Sequence, residues 1–103
     1  MTYIEELKDA IRRLHGVEST HVKSVPVKET FQGKTVWDGI VEVFELHGHA
    51  KATHAYAWAH GTDSPGKRWQ VTVLHIPPVT SAETAVRAAI AKEFRDLEAA
   101  EEI

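Results

Sequence analysis

Between Glu18 and Pro77 the chain runs in short β-rich segments, and no connection between them exceeds six residues. This spacing constrains the fold more than any other feature. A crossover between parallel strands needs a dozen or more residues, usually a helix, whereas antiparallel neighbours can be joined by a tight turn. The segments THVKSVPVKETF, TVWDGIVEVFEL, AKATHAYAWAH and KRWQVTVLHI are separated by QGK, HGH and GTDSPG. They predict four strands in an antiparallel meander. Pro26 has no N–H for a ladder, so the first strand belongs at an edge.

Both ends of this region read as helices. Thr2 and Glu5 form a capping-box pattern, and Ile4, Leu7, Ile11 and Leu14 recur on one stripe. Asp9 precedes Arg12 and Arg13 at ion-pairing distance along a helix, and Gly16 stands where a left-handed cap is expected. The spacing predicts a helix over residues 3 to 15. After Pro77-Pro78, Thr80-Ser81-Ala82-Glu83 repeats the capping pattern, followed by the stripe Val86, Ile90, Phe94 and Leu97. The expected fold is α+β, in the order α-β-β-β-β-α, as one domain over residues 1 to 103. Two amphipathic helices are expected on one face of the sheet, leaving the other face open.

Alternation divides the third strand. His54, Tyr56, Trp58 and His60 share one face, and Thr53, Ala55, Ala57 and Ala59 share the other. A loop over residues 61 to 66 sets Trp58 across from Trp69, Tyr56 across from Val71 and His54 across from Val73. The bulky face is the expected core. The alanine face, with Gln70 and Thr72 beside it, is the expected open surface, suited to a protein partner or to pairing two copies into a homodimer.

Charge and composition narrow the function classes. The net charge is −3 with histidine neutral, and Arg12-Arg13 and Lys67-Arg68 are short and separate, so no basic nucleic-acid stripe is present. No stretch approaches the ~20 apolar residues that span a bilayer. The N-terminus does not read as a signal peptide, and the chain contains no cysteine. A cytoplasmic protein is the expectation, and no cofactor motif of the GxGxxG, P-loop, HExxH or GxSxG kinds occurs.

Four of the seven histidines, His47, His49, His54 and His60, fall in LHGHAKATHAYAWAH. His54 and His60 are roughly 20 Å apart at strand rise, too far to share an ion. His47 and His49 with Glu45 could begin a zinc site, but Gly48 places the pair at a turn, and a solvated turn is the expected state. For acid-base chemistry, a two-residue turn sets His54 opposite Val43. A three-residue turn sets it opposite Glu42, with Asp38 next to Trp58 and Tyr56 close by. That second register would give a carboxylate-oriented histidine for hydrolysis or proton transfer, though no nucleophile or oxyanion donor accompanies it.

The segments GKTVWDGIVEVFELHGH, HAYAWAH and VLHIPPVTSAETAVRAAI together resemble short uncharacterised bacterial proteins of about this length. The resemblance implies a fold and supplies no site residue. Alternating alanines in ATHAYAWA, in a chain without cysteine, are also a pattern of engineered binding scaffolds. The leading expectation is a non-enzymatic binding or interaction module using Thr53, Ala55, Ala57, Ala59, Gln70 and Thr72 or the hairpin tips. The alternatives are an enzyme using His54, Tyr56 and Glu42 or Asp38, and a zinc site at His47, His49 and Glu45.

Overall fold

A computed structural model of the chain describes residues 2–61 and 68–101. The turn read in GTDSPG lies outside the described residues beyond Gly61, as do the side chains of Phe94 and Leu97 on the last helix. The element order is α1 (Tyr3–His15), β1 (Glu18–Phe31), β2 (Lys34–His47), β3 (His54–Gly61), β4 (Arg68–Leu74) and α2 (Ala82–Glu101). The strands form one antiparallel sheet in the order β1-β2-β3-β4. This is the α+β fold and the element order expected. No helix among the described residues is long and apolar enough to cross a membrane.

Local chemistry accounts for the ends of α1. The Thr2 hydroxyl accepts from the Glu5 amide and the Glu5 carboxylate accepts from the Thr2 amide, both at 3.2 Å. Gly16 adopts φ 73° and donates its N–H to the Arg12 carbonyl, a left-handed stop that favours glycine. In α2 the cap sits one residue later than expected. The Ser81 hydroxyl accepts from the Thr84 amide at 3.2 Å, and the Thr84 hydroxyl accepts from the Ser81 and Thr80 amides. Thr84 therefore takes the reciprocal role assigned to Glu83, and Glu83 is exposed beside the cleft described below.

The two helices do not share a face, which corrects the expected arrangement. Leu7 and Ile11 of α1 are fully buried with Phe44, Leu46, Ala55 and Ala57. Ala82, Ala85 and Val86 of α2 are buried with Val41, Val43, Tyr56 and Trp58 on the opposite side. Large helix side chains thus fill the space above alanines, and a small-residue helix surface receives the aromatic rings. Close packing rewards that large-on-small match. The short link from His15 to Glu18 holds α1 near β1, while residues 75 to 81 give α2 enough chain to reach the other face.

The sheet is not uniformly laddered. β1 and β2 pair along nearly their whole length and turn at Gln32-Gly33, with φ 52° and 77°, the two-residue turn whose twist suits a hairpin. β2 and β3 pair only from Glu42↔Ala57 to Glu45↔His54. Beyond that point the Ala59 amide donates to the Tyr3 hydroxyl at 3.0 Å, so α1 satisfies a group the ladder leaves. On the other side, Trp37 meets Trp58 edge-on with centroids 5.5 Å apart.

Candidate functional site: a histidine and tyrosine cleft at the start of α2

A cleft of roughly 430 Å³ opens on the α2 side of the sheet, where β1, the near ends of β3 and β4, and the first turn of α2 meet. Its apolar floor comes from Val25 and Val43. Its polar residues are Lys23, His54, Tyr56, His75, Thr80, Ser81 and Glu83.

Each polar group is delivered by a local feature. A β-bulge between His21 and Lys23 inserts Val22 into β1, and both Val22 and Lys23 line the cleft. His54 begins β3 two residues before Tyr56, so alternation puts both on the same face. His75 follows β4 and donates its amide to the His54 carbonyl at 2.9 Å, which carries the pairing one step past the ladder. The Tyr56 hydroxyl and His75 Nδ1 are 2.6 Å apart, and the His54 and His75 rings meet edge-on with centroids 6.1 Å apart. Nδ1 of His54 lies 2.9 Å from the Thr53 hydroxyl.

Tyr56 is only 6% exposed. Burial, and secondarily the nearby Glu83 carboxylate, push its phenol above the ordinary value. The group therefore enters the cleft as a neutral hydroxyl able to donate or accept. The Ser81 hydroxyl is occupied in capping α2, bonded to the Thr84 amide and hydroxyl. It is thus poorly placed to act as a nucleophile.

The structure separates the expected catalytic set. His54 and Tyr56 are together in the cleft, but Glu42 and Asp38 lie on the other face of β2. Glu42 pairs with Ala57, while His54 pairs with Glu45. Glu42 is buried and accepts from His21 Nε2 at 2.9 Å and from the Ser24 hydroxyl in a short bond. Asp38 pairs with Lys28, and the residue next to Trp58 is Trp37. The physical cause is the β2–β3 connection, which runs from Gly48 to Thr53 and is longer than the expected turn. His49 Nδ1 accepts the Lys51 and Ala52 amides at 3.0 and 3.1 Å and so folds this connection around its own ring.

The expected binding surface is also corrected. Ala55 and Ala57 are fully buried beneath α1, and Ala59, Gln70 and Thr72 are partly buried. Thr53 alone of that set is exposed, and the Thr72 hydroxyl lies 2.6 Å from His15 Nε2. The alanine face is therefore core, not an open surface.

His47 and His49 have structural partners, while the side chain of His60 lies outside the described residues. His47 Nε2 is 2.8 Å from the Thr20 hydroxyl, and His49 is held by its two amides. Among the described residues, no three His, Cys, Asp or Glu side chains are grouped to hold a metal, and His47, His49 and Glu45 are not brought together.

Sequence reasoning missed His75, Lys23 and the His21–Glu42–Ser24 cluster. His75 was accessible from register: the structure pairs Tyr56 with Val73 and Trp58 with Val71, two residues from the expected partners. That shift brings His75 level with His54. The bulge at Val22 has no comparable signature. Comparison of the chain with protein-family models, curated proteins and solved structures finds no match.

Proposed function

We propose that the chain binds a small molecule in the cleft at the start of α2. The observation that carries this reading is the convergence of Lys23, His54, Tyr56 and His75 on one apolar-floored space of roughly 430 Å³. A concave site with a few converging polar groups is the usual form of a ligand pocket, and this volume falls in the usual range. The ligand class favoured is a small compound with an oxygen acceptor for Tyr56 and an anionic group for Lys23.

Thermal unfolding of the protein against a library of small metabolites tests this. Ligands should raise the melting temperature of wild type, and Lys23→Glu should abolish the rise. A stabilising ligand unaffected by Lys23→Glu and by His54→Gln counts against the cleft.

A protein partner is the second reading, favoured by one observation. Phe31, Val36 and Ile40 are exposed along the β1–β2 hairpin, Phe31 at 66%. Self-association through the alanine face would have to displace α1, so a homodimer would use this hairpin instead.

A further inference from the structure

We infer that the cleft catalyses proton transfer at the carbon next to a carbonyl, on a small 2-oxo acid, with Tyr56 serving the carbonyl oxygen and His54 the neighbouring carbon. The inference rests on the ligand-binding reading above and adds an activity and a substrate class to it.

Three aromatic side chains make a continuous polar cluster. His75 stands between the others, its ring centroid 5.9 Å from that of Tyr56 and 6.1 Å from that of His54. The Tyr56 hydroxyl meets His75 Nδ1 at 2.6 Å. When Nδ1 carries hydrogen it donates to the phenolic oxygen, and the phenolic hydrogen is directed elsewhere, into the cleft. On the other side, Thr53 holds His54 Nδ1 at 2.9 Å. If Nδ1–H donates to that hydroxyl, Nε2 presents its lone pair to the ligand. A proton donor and a base then line one cleft, the pair of groups that enolisation requires.

The step is balanced without a cofactor. The C–H bond beside the carbonyl breaks, its proton passes to His54 Nε2, and its electron pair becomes the C=C bond of the enol. The carbonyl oxygen takes the Tyr56 proton, Tyr56 regains one from His75 Nδ1, and His75 Nε2 takes one from water; the hydroxide left behind is neutralised by the proton that His54 Nε2 gives up to solvent. Once His54 Nε2 has exchanged its proton with solvent, the reverse step delivers a solvent proton to carbon. No nucleophile is needed, which agrees with Ser81 being held in its capping bonds.

The substrate class follows from the remaining charges. Lys23 offers an ammonium to a carboxylate at the mouth. The single carboxylate among the cleft's residues, Glu83, stands against a more highly charged anion. A carbonyl compound with one carboxylate meets all four groups.

The test uses the full chain with pyruvate and phenylpyruvate in deuterated buffer, following loss of the proton signal beside the carbonyl by NMR. The expected result is exchange at least about 100-fold faster than in buffer, the scale of positioned acid-base groups. Tyr56→Phe and His54→Gln should each remove most of it while amide shifts still report phenylpyruvate in the cleft. His54 is half-exposed, so its variant tests the role even if Tyr56→Phe unfolds. Phenylpyruvate seated in the cleft without accelerated exchange overturns the activity and leaves the binding reading standing. Library ligands that bind while neither 2-oxo acid does overturn the substrate class alone. A cleft that binds nothing overturns both.

Discussion

The Tyr56 hydroxyl lies 2.6 Å from Nδ1 of His75, joining the start of β3 to the segment that follows β4. This contact places a polar pair inside a face otherwise packed with valine, tryptophan and alanine. Tyr56→Phe removes one partner of a part-buried bond, and a loss of about 1 kcal/mol in urea denaturation is expected. The phenol should also titrate above its ordinary value of about 10, because burial and then Glu83 disfavour the phenolate. The sign follows: the neutral form is the one the fold holds. The associated stability is present below the unfolded value and lost as pH rises through the folded one. Ultraviolet titration of wild type against Tyr56→Phe isolates this group.

His15 gives a prediction at the acid end. Burial first, and the nearby His49 second, lower its pKa below the ordinary 6.5. The neutral ring contacts Thr72 at 2.6 Å, tying the end of α1 to β4. A depressed histidine means the unfolded chain binds the proton first. Its contribution is therefore complete above about pH 6.5 and is lost as pH falls below that value. His15→Gln should narrow the difference between urea midpoints measured at neutral and mildly acid pH. An unchanged difference would place the acid sensitivity in other histidines.

Glu42 should matter for stability and not for the cleft. Its buried carboxylate accepts from His21 and Ser24 on the α1 side of the sheet. Glu42→Ala is expected to cost about 2 kcal/mol or more, and Glu42→Gln less, since an amide oxygen can still accept. Ligand affinity of the Glu42→Gln protein should match wild type. A large loss of affinity without unfolding would contradict the separation of the two faces.

Ser19 offers a gain. It is 4% exposed, and its hydroxyl has no hydrogen-bond partner among the described residues. A buried hydroxyl left unpaired costs on the order of 1–3 kcal/mol, so Ser19→Ala should hold or raise the melting temperature. A clear drop would show that the hydroxyl has a partner, such as a bound water.

The sequence was most legible where local chemistry alone decides structure. Thr2, Glu5 and Gly16 mark the ends of α1, and both caps are present. Alternation assigned Tyr56 and Trp58 to one face and the alanines to the other, and that assignment survives a register two residues from the expected one. An even shift keeps every side chain on its face; an odd shift reverses it. The Glu42–His54 pairing failed for that reason. The partner of His54 is Glu45, three residues from Glu42, and the connection that sets this register is folded by His49.

The placement of the helices was encoded but less directly. The stripe of α2 is rich in alanine, as Ala82, Ala85 and Ala89 show, and that of α1 carries Leu7 and Ile11. Matching small residues to the aromatic face and large ones to the alanine face would have separated the helices. Periodicity identifies an apolar stripe without saying what shape it must meet. The cleft depends on that separation, because its walls include the first turn of α2.

Cleft binding is read out residue by residue in a two-dimensional amide NMR spectrum of the labelled protein, recorded with and without a ligand that raises its melting temperature. Binding in the cleft should give shifts confined to residues 22–23, 54–56, 75 and 80–83. Shifts confined to Phe31–Val36, or to the residues of α1 and the alanine face, would contradict it.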